Sequence, residues 1–235
     1  MALLNRRVSA LVCETDDILE YLSDYIPQHK LFCRPKPYMR RWIENEIANP
    51  AELEGKGMQI ICVGMMKGRP HKGLRHLLDA MALLDKRQVT CHLTVIGSAE
   101  DEDIATAPAN VTFTGPRRDA IRFIAASDVL AMPSTRDASP RVVREAQACG
   151  VACVVSDIQG ARDLIIATGH DRSGVLVAPA RPEDMADALQ MLAENPDIRR
   201  EMGCNGIRNI QDNYSLDQYV DFLENIFNSL NDYEG

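Results

Sequence analysis

The residues best suited to chemistry in this sequence lie in two stretches. In PSTRDASPRVVREAQACG (133–150), an apolar run ends in a loop holding Asp137. A helix follows, with Ser139 expected as its N-cap, Pro140 at its first position and Glu145 inside it. The first amides of such a helix, at Arg141, Val142 and Val143, lack intrahelical acceptors and sit at the positive end of the dipole, so a phosphate placed there would satisfy them. Glu145, about a turn and a half in, can reach a diol next to that phosphate, and Asp137 can hold hydroxyls on its other side. Two carboxylates flanking an anion site suggest a nucleotide sugar. Taken alone, the same residues fit a plainer role, with Glu145 complementing the helix dipole and Asp137 a solvated loop acid.

The second stretch is VGMMKGRPHKGLRHLLDA (63–80), where a strand ends at Gly64, a Gly- and cation-rich loop follows, and Lys72-Gly73 leads into a helix. Lys67, Arg69 and Lys72 place three positive charges within six residues, enough to neutralise a leaving nucleoside diphosphate without a metal. His71, like the other histidines, is expected to have no special role, with a place beside Lys72 at the same site as the alternative. The glycines at 64, 68 and 73 match neither a P-loop nor a dinucleotide fingerprint, and a solvated basic turn is the alternative. Asp101, Glu102 and Asp103 mimic a metal-binding acid cluster, but they fall in a long polar loop, AEDEDIATAPAN, well past a strand end. The histidines at 29, 71, 76, 92 and 170 have no metal-ligand spacing, and no G-x-S-x-G elbow supports hydrolase chemistry. No metal or other cofactor is expected.

Those side chains need a scaffold, and the pattern from residue 58 onward supplies one. Six short apolar runs, MQIICV (58–63), CHLTVIG (91–97), NVTFTG (110–115), DVLAMP (128–133), VACVVS (151–156) and GVLVAP (174–179), alternate with longer segments of helical period. This predicts an α/β fold, a Rossmann-like doubly wound parallel sheet. Leu74, Leu77, Leu78, Met81 and Leu84 form one helical stripe, Gly150 is a left-handed helix stop, and Pro182 with Glu183 and Asp184 opens another helix. A last helix starts at Ser215, with Gln218 as capping-box partner and an apolar stripe from Leu216 to Leu230. Ahead of all this, VSALVC, TDDILEYLSDY and KLFCRP read as strand, helix and strand, followed by a Pro-punctuated linker. The expected division is 1–50 for this segment and 51–235 for the main domain.

At 235 residues, 46% hydrophobic and 26% charged, the chain is globular and long enough for one large domain or one and a half ordinary ones. With 26 basic against 34 acidic residues the net charge is −8, so no broad basic field collects nucleic acid or anionic lipid. No apolar run approaches the roughly 20 residues of a membrane span, and MALLNRRVSALVC is too short and interrupted for a secretory signal. A cytoplasmic location is expected, peripheral to a membrane only through a partner. Seven scattered cysteines with no C-x-x-C pair argue against zinc and against a disulfide framework.

The ordered set VGMMKGRPHKG, TVIGSAE, VTFTG, ASDVLAMPS, DASPRVVREAQACGVACVVSDIQGARDLI, GVLVAP and a late C-terminal helix resembles the nucleotide-sugar-binding half of retaining glycosyltransferases of the GT-B fold, family 4, over about residues 58–230. Residues 8–43 resemble the final strand, helix and strand of that family's acceptor-binding domain, the rest of which has no counterpart here. The resemblance implies that Glu145, second acid of an E-x7-E motif, binds the donor ribose and that Lys72 binds the diphosphate. Asp137 stands where the family usually has a glutamate that contacts the transferred sugar, its reach shorter by about 1.5 Å. The family's arginine after the strand glycine is replaced by Met65, with Arg69 or Lys67 as candidate substitutes.

By resemblance, the function is retaining transfer of a sugar from a UDP- or GDP-sugar to a carbohydrate or glycolipid acceptor. The alternatives are a donor-binding subunit that needs a separate acceptor-binding chain and, less favoured, a nucleotide-sugar epimerase. Because the last helix of this fold crosses toward the other domain, self-association or a partner chain over the Leu216–Leu230 stripe is expected.

Overall fold

The computed structural model describes residues 8–231. Residues 1–7, on which the reading of no secretory signal partly rests, lie outside the described residues. Leu11–Cys13 (β1) and Leu31–Cys33 (β2) pair in parallel around helix α1 (Asp16–Ser23), the expected strand-helix-strand. The main sheet comprises β3 (Met58–Val63), β4 (Cys91–Ile96), β5 (Val111–Gly115), β6 (Val129–Met132), β7 (Ala152–Ser156) and β8 (Gly174–Val177). All neighbours run parallel, in the order β5-β4-β3-β6-β7-β8. All six apolar runs are therefore strands, and the fold is doubly wound α/β as expected.

The helices after α1 are α2 (Glu44–Ala48), α3 (Leu74–Lys86), α4 (Asp101–Ala105), α5 (Ala120–Ala125), α6 (Arg141–Cys149), α7 (Gln159–Arg162), α8 (Pro182–Glu194), α9 (Pro196–Asn213) and α10 (Leu216–Asn231). Successive strand residues face opposite sides of the sheet, so Ile60 and Ile61, both fully buried, serve two cores. Ile60 joins Leu77, Met81 and Leu84 of α3 with Leu189 and Leu192 of α8. Ile61 joins Val143 of α6, Ile124 of α5 and Ile210 of α9. Each such side chain contributes about 1.5–3 kcal/mol by leaving water.

Three local expectations change, and one helix was not expected at all. Asp101, Glu102 and Asp103 open the short helix α4 instead of sitting in a loop, because three acids favour a helix N-terminus. Pro140, not Ser139, holds the N-cap position of α6, and Ser139 makes no capping bond there. At the start of α10, the Gln218 amide does bond the Ser215 hydroxyl at 3.2 Å, but the Gln218 side chain turns to the Asp212 carbonyl at 2.8 Å, so the capping box is only half formed. The eighteen-residue helix α9 has no apolar stripe to announce it. Its inner face is small and polar: a Cβ on Gly203 would lie 2.0 Å from the Gly150 carbonyl oxygen, and Asn209 donates to Gln147 at 2.8 Å and to the Leu164 carbonyl at 3.1 Å.

Helix α10 packs back on the first segment. Phe222 meets Phe32 edge-on at 6.5 Å between ring centroids, and the Arg34 guanidinium lies 5.7 Å from the Phe222 centroid. Of the predicted stripe Ile226 is buried, while Val220 and Phe227 remain exposed. No helix among the described residues is long and apolar enough to cross a membrane.

The Gln147–Asn209–Leu164 network is buried, so removing one member strands the others without water to replace it. Asn209→Ala should lower the unfolding free energy by about 1–3 kcal/mol in urea titrations. Wild-type stability in that variant would show the network to be dispensable.

Candidate functional site

From β3 the chain steps outward through β4 to β5, then returns to the other side of β3 to form β6. The loops leaving these two neighbouring strands diverge to opposite faces of the sheet, and the crevice they open is where ligands of such sheets bind. It holds a cavity of about 270 Å³, lined by Cys62, Val63 and Met66 from the β3 side, by Met132, Pro133 and Ser134 from the β6 side, and by Lys72, Asp137, Ser139, Pro140, Arg141 and Val142.

The two loops are stitched together. Gly73 has φ +71°, and a Cβ there would lie 2.0 Å from the Pro133 carbonyl oxygen, so only glycine permits this approach. The Thr135 amide donates to the His71 carbonyl at 2.8 Å. Across this seam Lys72 Nζ meets Asp137 Oδ2 at 2.6 Å, their side chains 24% and 19% exposed. On the opposite flank, a Cβ on Gly160 would sit 2.1 Å from the Asp137 carbonyl oxygen, which confines the Asp137 loop from behind.

At the start of α6 the Val143 amide donates to the Pro140 carbonyl at 3.1 Å. Its predicted part in an anion cradle is thereby taken up in a tight first turn. The Arg141 and Val142 amides have no acceptor among the described residues, and both residues line the cavity. Glu145 is buried one turn behind them and accepts from Arg141 Nε at 2.7 Å. An anion entering the crevice would meet these two amides and Lys72 together.

The remaining predicted residues sit elsewhere. Lys67 Nζ is 3.9 Å from Asp101, and Arg69 lines a different cavity with Met66, Arg75, Glu100 and Asp103. Neither shares the Lys72 cavity. The Gly64 amide is committed to the Ile96 carbonyl at 2.9 Å. His71 contributes its backbone carbonyl to the seam, and its ring does not line the crevice. Of the other acids of α4, Arg75 holds Glu102 at 3.1 Å and Asp103 at 3.2 Å.

The family model described as Glycosyl transferases group 1 matches residues 57–195, more than half of the chain. The chain belongs to this family. A D-inositol 3-phosphate glycosyltransferase from Jonesia denitrificans is 29% identical over 175 residues, covering 68% of this chain and 40% of that protein. A glycosyltransferase from Rickettsia africae superposes with a TM-score of 0.82 at 17% identity, over 97% of this chain and 66% of the other. Anabaena HepE in complex with UDP and glucose superposes with a TM-score of 0.76 at 18% identity, over 94% of this chain and 64% of the other. These likenesses show the GT-B glycosyltransferase fold. The chain spans well under two thirds of the curated relatives it matches.

In this group 1 glycosyl transferase family chain, sequence reasoning passed over several residues that shape the crevice. Gly97 is one: its φ is +128°, and a Cβ there would lie 1.7 Å from the Gly64 carbonyl oxygen, so the close approach of the β3 and β4 ends depends on Gly97 and not on Gly64. Ser134, buried at the end of β6, is another. The least expected is Arg144, a buried arginine whose Nη1 donates to Ser139 Oγ at 3.0 Å and whose Nη2 lies 3.7 Å from Glu14 Oε2. Its Nε has no partner among the described residues. Glu14 in turn accepts from Lys36 at 2.6 Å. No local signal marks this set, since its members come from both ends of the first segment and from α6.

Burial pushes the Glu14 carboxyl up, but hydrogen bonds from Lys36 and Ser139 and the charges of Lys36 and Arg144 outweigh it and hold the group below its ordinary range. A depressed carboxyl contributes stability that is complete above its unfolded value of about 4.3 and fades as pH falls through the lower folded value. The stability gap between wild type and Glu14→Gln should be open at pH 7 and close as pH drops below about 4. Chemical denaturation at the two pH values checks this, and a gap independent of pH would disprove it.

Proposed function

We propose that this chain binds a UDP- or GDP-sugar in the crevice between the β3 and β6 ends and acts in retaining transfer of the sugar to a carbohydrate or glycolipid acceptor. The observation that carries the reading is the convergence of Lys72, Asp137 and the two unpartnered amides of α6 on one cavity at the strand-order reversal. It agrees with family membership, and the structural neighbour HepE has been crystallised with UDP and glucose.

In this reading the diphosphate lies over the Arg141 and Val142 amides, with Lys72 beside it. As the bond from the anomeric carbon to the diphosphate oxygen breaks, negative charge grows on that oxygen. Lys72 and the helix dipole are already oriented to stabilise it, without reorganisation at the moment of reaction and without a metal. Asp137 orients the sugar hydroxyls, and Glu145 accepts from the ribose diol. The acceptor hydroxyl attacks from the face that the diphosphate leaves, its proton passing to the departing diphosphate oxygen, and the anomeric configuration is retained. The mechanism rests on charge and orientation, with no covalent work assigned to the protein.

A second reading is a donor-binding subunit that turns over only with an acceptor-binding partner. The observation favouring it is the exposure of Phe227 and Val220 on α10. Transfer or donor hydrolysis by the purified chain supports the first reading, and turnover only after a partner is added supports the second.

A binding panel of UDP-, GDP- and ADP-sugars tests the site itself. One nucleotide should saturate the chain, Lys72→Ala should weaken it more than tenfold, and Glu145→Ala should abolish measurable binding at the same concentrations. Unchanged affinity in Lys72→Ala would reject the site.

A further inference from the structure

One ion pair lies in the crevice and a second at its edge, where the lining residue Arg141 holds Glu145, buried behind the lining. Among the residues lining the crevice, only Lys72, Asp137 and Arg141 carry charge. Lys72 is tied to Asp137 at 2.6 Å, and Arg141 is tied to Glu145 at 2.7 Å. The two carboxylates are the groups that the donor reading assigns to hydroxyls of the ligand. A ligand that hydrogen-bonds both acids through its sugar and ribose hydroxyls competes with both cations for them, and the phosphates between those hydroxyls offer each displaced cation a new partner.

We propose that Arg141, through its side chain, is the second cation of the diphosphate site, released by exchange of its partner Glu145 onto the ribose; this rests on the donor reading above. Three observations lead there. A nucleotide sugar carries one negative charge on each phosphate, and a chain of net charge −8 offers no general positive field to hold them, so local cations must. Lys67 and Arg69, the other cations of the β3 loop, lie beside Asp101 and in a separate cavity, which leaves Lys72 and Arg141 at the crevice. The Arg141–Glu145 pair is also unequal: the Arg141 side chain is 75% exposed and that of Glu145 is 12% exposed. A guanidinium so exposed is held weakly and can swing with little loss, whereas a buried carboxylate needs a donor at all times, and a ribose diol supplies two.

The exchange ties the two halves of the nucleotide together. Ribose binding at Glu145 frees Arg141 for the diphosphate, and a nucleoside without phosphates must displace Arg141 with nothing to receive it. The guanidinium fork suits a pyrophosphate, whose oxygens accept two parallel hydrogen bonds.

The test compares UDP and GDP with uridine and guanosine on the full chain, in the wild type, R141Q and R141K, by calorimetry and ligand NMR. For whichever nucleotide the wild type binds, R141Q should weaken the diphosphate about tenfold while the matching nucleoside binds as well as before or better, because Glu145 no longer has a competing partner. R141K should recover most of the lost affinity. R141Q that binds the diphosphate as tightly as wild type, or that loses diphosphate and nucleoside affinity by the same factor, would overturn the proposal. A wild type that binds none of the four ligands would overturn the donor reading itself, and the Arg141 assignment with it.

Discussion

The ion pair between Lys72 and Asp137 closes the one gap that the sheet's topology leaves open. Two parallel strands side by side, β3 and β6, send their following helices to opposite faces, so beyond the sheet the two exit loops are joined by the Thr135–His71 backbone bond and by this ion pair. The bond is 2.6 Å long with both side chains mostly covered, in surroundings where a charge without a partner is costly. Everything adjacent serves that geometry. Gly73 lets the β3 loop touch Pro133, the His71 carbonyl takes the Thr135 amide, and Gly160 leaves room for the backbone at Asp137. The same arrangement keeps a lysine from collapsing onto distant acids and keeps it aimed at the crevice.

A second layer supports the first. Arg144 lies buried under the first turn of α6, with Ser139 on one side and Glu14 on the other, and Lys36 completes the set. It links the loop that carries Asp137 to the small β1–α1–β2 unit, while Phe222 of α10 anchors against Phe32 of the same unit. The crevice is thus braced by a part of the chain that contributes none of its lining residues. Buried charge of this kind is held by geometry, and a change at Arg144 would be felt at Ser139 before it was felt in the core.

The scaffold was easy to read where burial is two-sided. The six strands are apolar runs because both faces of the sheet are covered, and α3 is legible because Leu74, Leu77, Leu78, Met81 and Leu84 all face one core. Helix α9 was not legible, because between its two buried apolar residues, Met202 and Ile210, its inner face is Gly203, Asn205, Gly206 and Asn209, which let backbones approach and hydrogen-bond but carry no apolar period. The start of α6 was legible to within one residue, and the error had a chemical effect. With Pro140 at the cap, the tight turn absorbs the Val143 amide and leaves Ser139 free for Arg144.

Residue types and their local spacing determined the α/β class, the strand set and the identity of the groups available for chemistry: two acids, a cluster of cations and a helix N-terminus. Periodicity and capping act over a few residues, and such short-range physics is written along the chain. Which cation meets which acid was decided only in three dimensions. Lys72 reaches Asp137 across 65 residues of sequence, while Lys67, five positions earlier, turns to Asp101. Electrostatic and hydrogen-bond energies depend on separations of a few ångströms, and those separations are set by strand order, by the glycines that permit close approach and by the packing of distant helices.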